Sequence, residues 1–445
     1  MPSHRRLACK LNYFQSIILL FAAVILIGAA LLMLPISAQE RTVTPFHEAL
    51  FTATSAVCVT GLVVRDTASH WSAFGQAVLM VLIQIGGLGV ITVGASFSLL
   101  SGRRISLSQR GRMQEAMSAP KVGGIVRLTG FVIRTSLMIE GIGALCMLPV
   151  FCRDFGVSGI WKAVFHSVSA FCNAGFDLMG TPDTPFVSLT AYRADPVINL
   201  TISALIVVGG IGFLTWDDVR TNRLCFHRYR LQSKVILTAT ALLILLPTLF
   251  FFCFEFKGGT LRERLLLSLF QSVTPRTAGF NTADYTSLSG SGRGLTILLM
   301  FIGGSPGSTA GGIKTTTAAV LVANAFAVFR RQKSPEMFGR RMEEKAVYDA
   351  AAIFTLYLVL SLTGAFVIGT VEGLPLSECL FETTSAIATV GLSLGLTPHL
   401  GIVSQGILIF LMFIGRVGGL TMIYAALSGS KSSAARLPQE RITVG

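Results

Sequence analysis

The stretch FTATSAVCVTGL, residues 51–62, recurs in related form three more times along this chain. The other copies are FHSVSAFCNAGF at 165–176, FQSVTPRTAGF at 270–280 and FETTSAIATVGL at 381–392. Each copy begins with Phe, carries a hydroxyl residue four positions later, and ends in Gly followed by Leu or Phe. The third copy is one residue shorter between its hydroxyl and its glycine. Four related segments predict four tandem repeats, and four such loops can surround one axis.

Composition indicates a membrane protein. Of the 445 residues, 52% are hydrophobic and only 13% are charged, which is unusual for a soluble domain. Runs of about 18 or more apolar residues are typical of membrane-spanning helices. Eight such runs lie at about 14–34, 75–100, 128–151, 196–216, 235–254, 293–329, 350–370 and 403–427. The sixth run is too long for one span and is interrupted by Gly and Pro.

The net charge of +14 follows the predicted topology. Lys and Arg collect before the first run, after the second, fourth and sixth, and at the end of the chain. The positive-inside rule then places both termini in the cytoplasm and the four glycine loops on the outer side. This distribution argues against nucleic-acid binding. The first run has a basic lead-in like a signal peptide, but it is longer than a signal core and the first repeat needs it as a helix.

Each quarter of the chain is predicted to contain an outer helix, a short half-helix, a glycine loop and an inner helix. The repeats are 14–100, 128–217, 235–329 and 350–427, followed by a cytoplasmic tail at 428–445. The predicted fold is an all-α membrane protein of four helix–pore loop–helix repeats, with eight transmembrane helices and pseudo-fourfold symmetry around one central pore. Irregular backbone at membrane depth is tolerated only where it is buried or lines water, and half-helix dipoles favour a cation site.

The inner helices share a second mark, with copies IGGLG at 85–89, VGGIG at 208–212, IGGSPG at 302–307 and IGRVGG at 414–419. Small residues at the first two copies indicate tight helix packing. The third copy extends into GGSPGSTAGGIKTTT at 303–317, whose five Gly and one Pro cannot sustain a helix. We therefore predict an inner helix broken by a loop beneath the glycine ring. A phosphate-binding loop is excluded because the spacing is wrong and no strand precedes it.

The fourth copy of this mark places Arg416 where the others have Gly87, Gly210 and Gly304. A charge near the middle of a membrane is costly and is a functional candidate by default. The alternative is an arginine that caps backbone carbonyls, and one side chain can do both.

Together, SVTPRTAGFNT at 272–282 and the 303–317 string resemble the Trk/Ktr/HKT superfamily of potassium transporters, over about residues 14–427. Length and predicted spans are most similar to the bacterial Ktr membrane subunit. The resemblance implies potassium uptake through a channel-like pore in the bacterial cytoplasmic membrane and leaves sodium dependence open. It also implies a homodimer on a separate octameric ring of cytoplasmic nucleotide-binding regulatory subunits. The tail at 437–445 resembles a dimer contact.

The resemblance further implies a selectivity filter of backbone carbonyls that binds the transported potassium ion. The filter positions are Val59, Thr60, Gly61, Asn173, Ala174, Gly175, Thr277, Ala278, Gly279, Thr389, Val390 and Gly391. The implied intramembrane gate comprises Gly303, Gly304, Ser305, Pro306, Gly307, Ser308, Thr309, Ala310, Gly311, Gly312, Lys314 and Arg416. Sodium-permeable plant relatives often carry Ser at the first filter glycine, so Gly61 favours potassium. Cys58 and Cys172 depart from the hydroxyl or amide residues more usual in relatives.

Other polar residues have weaker patterns. Asp66, Asp177 and Asp284 follow their glycine loops and either attract cations to the mouth or are solvated loop acids. Glu140 lies in the third helix and is expected to pair with a neighbouring donor. Four histidines lack metal-site spacing and are expected to be structural: His47, His70, His166 and His399.

Two other function classes compete with a potassium pore. A sodium- or proton-coupled secondary cation transporter usually carries intramembrane carboxylates, and this sequence offers only Glu140 as a clear case. A multi-pass membrane enzyme needs a nucleophile–base pair or a metal constellation, and the sequence offers neither.

Overall fold

The structure, a computed structural model, describes residues 13–89, 92, 111, 114, 124–223, 225–332, 334–426 and 440. Within these ranges the protein is mostly helical. The strands described there are two short ones, β1 at Glu336–Met337 and β2 at Arg340–Arg341, which pair as a hairpin. The predicted tail at 428–445 lies almost wholly outside the described residues.

Four long apolar helices begin the four quarters of the chain. They are α1 (Tyr13–Leu32), α5 (Ile125–Phe155), α9 (Leu231–Phe250) and α13 (Glu344–Glu372). A π-helical turn at Phe251–Glu255 extends α9. Each is long and apolar enough to cross a membrane, so together they support a multi-pass membrane protein.

A half-helix follows each long helix. These are α2 (Phe46–Val57), α6 (Ser158–Phe171), α10 (Leu261–Val273) and α14 (Leu376–Ile387). With 12 to 14 residues each is roughly 18–21 Å long, shorter than a ~30 Å hydrocarbon core. The Phe that opens each sequence repeat is at most 1% exposed, so it anchors its half-helix in the interior.

The first part of each inner helix ends at the second sequence mark. These helices are α4 (Ala73–Leu88), which follows the short helix α3 (Thr67–His70), then α7 (Pro196–Gly210), α11 (Gly290–Phe301) and α15 (Ile402–Val417). Three begin with a side-chain cap: Ser72, Asp195 and Ser289 accept hydrogen bonds from the first turn. Asp195 precedes Pro196, whose fixed φ suits the first helical position.

Two of the predicted spans are interrupted and are not single helices. The predicted 196–216 span bends by 95° between α7 and α8 (Phe213–Asn222), with Gly212 at φ +90°. The predicted 403–427 span is divided by Gly418, at φ +95°, before α16 (Gly419–Ala426). Glycine adopts these left-handed conformations without steric cost, and such a residue ends a helix. The same reasoning applies at Gly89, φ +86°, which follows α4; most of the remaining predicted 75–100 span lies outside the described residues.

The predicted break in the third inner helix is confirmed. Helix α11 ends at Phe301 and helix α12 (Thr315–Phe329) begins only after a segment that we term the third-quarter loop, residues 302–314. A parallel bridge between Ile302 and Ile313 closes the base of this loop. The loop is largely buried, with Ser305 and Thr309 fully inaccessible, so it is an interior element.

Candidate functional site

The four glycine loops share an unusual backbone conformation. The residue two positions before each glycine is left-handed although it carries a side chain: Val59 at φ +56°, Asn173 at +58°, Thr277 at +65° and Thr389 at +52°. Each of the four glycines also has a positive φ, between +71° and +91°. A left-handed β-branched residue costs on the order of 1–3 kcal/mol and persists only where its surroundings impose it.

The loops contact one another in a closed order. A Cβ atom built on Gly61 would lie 2.5 Å from the Ala174 carbonyl oxygen, and one on Gly175 would lie 2.7 Å from the Ala278 oxygen. A Cβ on Gly279 would lie 2.5 Å from the Val390 oxygen, and one on Gly391 would collide with the Thr60 oxygen. Each glycine therefore faces a carbonyl of the next loop, and the fourth faces the first.

The repeated hydroxyl residues brace these loops. Ser55 Oγ accepts a hydrogen bond from the Gly61 amide at 3.0 Å, and Ser385 Oγ does the same for Gly391 at 3.0 Å. In the second and third loops the hydroxyl donates instead to the carbonyl after the glycine. Ser169 Oγ lies 2.7 Å from Phe176 O, and Thr274 Oγ1 lies 2.5 Å from Phe280 O. A position shared by the four sequence repeats thus fixes each glycine turn from behind.

Glycines in the inner helices let the half-helix ends approach. A Cβ on Gly86, Gly209 or Gly415 would collide with the carbonyl oxygen near the end of the half-helix in its own quarter. The third quarter differs, because a Cβ on Gly303 would meet Gly311 O at 2.6 Å. The packing predicted for the first two marks is therefore present, and the fourth mark shares it through Gly415; it brings the half-helix ends to the base of the glycine loops.

A cavity of about 310 Å³ opens on the other side of the glycine loops. Its lining includes Gly61, Gly175, Gly279 and Gly391 together with polar residues, among them Asp66, Asp177, Ser188, Asn281 and His399. All four glycines therefore face one space.

The three loop aspartates differ in their surroundings. Asp66 is buried and accepts hydrogen bonds from the amides of Ala68, Ser69 and Phe186. Burial raises the pKa of Asp177 to about 6, and the carboxylate of Asp66 adds to this shift, while Lys162 opposes it. Asp284 is exposed and caps the short helix at 285–287, so it is a solvated loop acid. Asp177 therefore lines this cavity with a pKa above the ordinary value of an aspartate.

The third-quarter loop lies against the base of the glycine loops. Thr309 Oγ1 is 3.1 Å from Asn173 Oδ1 and 3.1 Å from Phe171 O, at the end of the second half-helix. A Cβ on Gly312 would lie 2.7 Å from Ala388 O, and one on Gly311 would collide with Thr389. The loop therefore contacts the second and fourth glycine loops together.

Arg416 connects this loop to the first inner helix. Its guanidinium donates to the Thr309 carbonyl at 2.5 Å and to the carbonyls of Gly86 and Gly87, the latter at 3.1 Å. In the described part of the chain no carboxylate pairs with Arg416. Lys314 Nζ donates to Ala310 O at 2.8 Å within the loop. Both cations therefore satisfy backbone carbonyls of the loop.

The neighbours of Glu140 were not evident from the sequence. Gln84 Nε2 donates to its carboxylate at 3.0 Å, as expected of a paired acid. The Gln84 Oε1 atom accepts from Cys172 Sγ at 3.5 Å. The Cys172 thiol, at the base of the second glycine loop, is therefore directed toward the side-chain amide of Gln84. Gln84 is a polar residue in an apolar run, and that is the signal by which sequence could have found it.

Sequence reasoning also missed Glu382. Its carboxylate is fully buried on α14 and accepts from Ser393 Oγ at 2.6 Å, the Leu394 amide at 2.9 Å and Thr397 Oγ1 at 2.7 Å. It thereby fixes the chain that leaves the fourth glycine loop. The signal was a charged residue inside the fourth repeat, directly after Phe381.

The buried histidine has a structural role. His166 Nδ1 lies 2.7 Å from Lys162 O, and its Nε2 lies 3.4 Å from the Leu178 amide. Among the residues that the structure describes, no three His, Cys, Asp or Glu side chains cluster as metal ligands.

Comparison with known proteins places this site in a family. The family model for TrkH, a cation transport protein, matches residues 11–434. The chain belongs to this family of cation transport proteins. The fold agrees: the crystal structure of the potassium transporter TrkH from Vibrio parahaemolyticus matches with a TM-score of 0.75 at 17% identity, covering 95% of this chain and 86% of that one.

Full-length relatives are more similar in sequence. The chain is 40% identical to the potassium/sodium uptake protein NtpJ of Enterococcus hirae, over 99% of both proteins. It is also 40% identical to the Ktr system potassium uptake protein B of Bacillus subtilis, covering 96% of this chain and 95% of the relative. Identity to the protein of that name in Vibrio alginolyticus is 36%, over 100% of this chain and 98% of the relative.

Proposed function

We propose that this protein takes up potassium ions across the bacterial cytoplasmic membrane, through an axial pathway that is narrowest at the four glycine loops. The observation that carries the proposal is the closed order in which each glycine faces the carbonyl of the next loop. Such a ring of carbonyls replaces the hydration shell of a monovalent cation. The names of the Ktr and NtpJ relatives support potassium as the ion and make sodium a second candidate.

In this proposal the four repeats surround one pseudo-fourfold axis and supply eight spans, each inner span being a helix interrupted at its glycine mark. The filter consists of each repeat glycine and the two residues before it, which are residues 59–61, 173–175, 277–279 and 389–391. Bracing by four hydroxyl residues and four left-handed residues favours a preformed site over an adaptable connector. The half-helix ends direct their partial negative charge at it.

The third-quarter loop is the gate in this proposal. Its contacts with Asn173 and Ala388 support a position across the axial exit from the filter, which an ion could then pass only if the loop moved. Arg416 holds the loop through Thr309 O, and its positive charge opposes a cation beneath the filter. The loop continues directly into α12, so displacement of that helix would move it.

Partners follow from the likeness to Ktr system proteins. We infer a homodimer with cytoplasmic termini on a separate ring of nucleotide-binding regulatory subunits. Such a subunit shifts the gate only if its affinity differs between the closed and open arrangements.

The test is isotope uptake by purified protein in proteoliposomes, driven by a potassium gradient alone. Potassium flux that exceeds sodium flux and rises with the regulatory subunit is expected. A Gly61→Ser variant tests the filter, and Gly294→Ser, at a site with no neighbour within 4 Å, is its control. Correctly inserted protein that carries no potassium at any sodium concentration or pH contradicts the proposal.

A coupled secondary transporter is the alternative, and the buried carboxylates Glu140 and Glu382 are what it would use. Each accepts hydrogen bonds from neighbouring side chains, which favours structural roles. Absence of flux until a sodium or proton gradient is imposed would favour this alternative.

A further inference from the structure

A hairpin follows the gate-side helix α12 and carries an unusual turn. Strands β1 and β2 pair Glu336 with Arg341 and Met337 with Arg340, leaving Phe338 and Gly339 as the two turn residues. Both have positive φ, +50° and +71°, the geometry of a type I′ turn. Asn, Asp or Gly normally occupies the first of these positions, because a bulky side chain there is strained. An aromatic residue therefore occupies a turn position whose backbone conformation disfavours it.

This ring is exposed beside a second one. Phe338 is 49% exposed, and its ring centroid lies 6.1 Å from that of Phe226, which is 37% exposed. Phe226 belongs to the loop that precedes α9, so the contact joins two loops on one face of the protein. Exposed aromatic rings in pairs are costly in water and are favourable at a membrane interface, where the rings enter the headgroup region.

Four arginines flank the rings: Arg330, Arg331, Arg340 and Arg341, all exposed. The ion pair that they form in the described part of the chain is Arg341 with Glu344, at 3.9 Å and with both side chains more than 60% exposed. Three acids lie nearby, Glu336, Glu343 and Glu344, and all are exposed. An ion pair between two exposed side chains, such as Arg341 with Glu344, contributes little stability, so the arginines remain available to an anionic ligand.

The same surface continues into the lipid-facing side of α12. Phe326, Val328 and Phe329, in its last turn, are 58%, 63% and 79% exposed. An apolar helix face that passes directly into arginines is the pattern of a helix end at the membrane surface. A protein partner does not require the apolar turn, whereas an anionic phospholipid meets both parts at once.

We propose that Arg330, Arg331, Phe338, Arg340 and Arg341, termed the hairpin patch, bind the headgroups of anionic phospholipids. At its other end α12 begins at Thr315, whose amide donates to Gly304 O at 3.0 Å in the third-quarter loop. Fifteen helical residues, about 22 Å, separate the hairpin patch from that loop. Anionic lipid therefore holds the cytoplasmic end of the helix that bears the gate. This last step rests on the proposed function; lipid binding does not.

Lipid binding is measured by native mass spectrometry of the delipidated full chain, titrated with phosphatidylglycerol or phosphatidylcholine. Arg340→Gln with Arg341→Gln should raise the phosphatidylglycerol concentration needed for half occupancy about thirtyfold, given the attraction of each basic residue to an anionic surface. The matched control is Arg41→Gln with Arg262→Gln, two exposed arginines near the half-helix N-termini, and it should bind as the parent does. Equal loss in both variants, or none in the first, overturns the proposal.

Phe338→Asn separates lipid contact from hairpin stability. Asn suits the left-handed turn. If Phe338 has a purely structural role, the variant should therefore bind phosphatidylglycerol as the parent does and have an unchanged or higher melting temperature. Lipid contact predicts weaker phosphatidylglycerol binding with an unchanged melting temperature. Loss of regulatory-subunit binding with lipid binding intact would assign the hairpin patch to a protein partner and reject the lipid site. A final comparison of isotope flux in vesicles with and without phosphatidylglycerol tests whether bound lipid acts on the gate through α12. If the protein carries no potassium in either vesicle, the proposed function fails, and the lipid titration still tests the lipid site by itself.

Discussion

Replacement of Arg416 by Ala should release the third-quarter loop. The guanidinium donates to carbonyls on two sides, and only its bond to Thr309 O joins it to the loop. A hydrogen bond from a charged donor contributes about 1.5–3 kcal/mol. If this bond is present only in the closed arrangement, its loss shifts the equilibrium toward the open one by ~10- to ~150-fold. Basal flux without the regulatory subunit should rise by a similar factor until most molecules are open.

The assay is isotope flux in proteoliposomes with and without the regulatory subunit, at matched protein content. Arg416→Lys separates two physical causes: Lys keeps the charge that repels a cation but cannot reproduce the forked contact. Flux that rises in both variants identifies the hydrogen bond as the restraint, whereas flux that rises only with Ala identifies the charge. A partial deletion within 305–312 should also raise basal flux. If Arg416→Ala and the deletion both keep low basal flux and full activation, the loop is not the gate.

Three further outcomes are expected. Gly61→Ser should lower potassium-over-sodium selectivity, because a side chain at φ +91° would lie 2.5 Å from a carbonyl oxygen of the next loop; permeability ratios equal to those of Gly294→Ser would refute this. Ser55→Ala should leave the Gly61 amide without its acceptor, costing about 1–3 kcal/mol, lowering the melting temperature and blurring selectivity, and Ser55→Thr should restore both. Uptake at limiting potassium should fall as pH drops through about 6, because Asp177 then becomes neutral at the cavity lined by the four repeat glycines. Asp177→Asn should show low uptake and no such step, measured as initial rates across pH.

The repeat pattern made the general architecture predictable. Phe, hydroxyl and glycine recur because each acts locally: the Phe anchors the half-helix, the hydroxyl braces the turn, and the glycine adopts a positive φ. The break in the third inner helix was equally predictable from the sequence, since Gly and Pro act through local backbone preferences. The alternative role predicted for Arg416, hydrogen bonding to backbone carbonyls, agrees with its contacts to Thr309 O and Gly87 O.

Features that depend on tertiary closure were not predictable. Val59 and Thr389 are β-branched, so local propensity opposes the left-handed conformation that packing imposes on them. Gly212 and Gly418 lie in apolar runs that read as continuous helices, and only the neighbouring elements show that the chain turns there. The partnership of Gln84 with Glu140 joins residues 56 positions apart, beyond any pattern of helix or strand periodicity.

Among the residues that the structure describes, a loop such as the one between Ile302 and Ile313 interrupts the inner helix of the third quarter alone. Four identical subunits around an axis would have to carry four such loops, each directed to the place beside Asn173 and Ala388 that this single loop contacts. Joining the quarters covalently frees each to diverge, so that one lengthens while its counterparts keep a short glycine mark. Under the proposed gating, conduction then depends on a single two-position segment. Single-molecule recordings should accordingly show abrupt transitions between two levels, without the graded sublevels expected when four separate obstructions clear one after another.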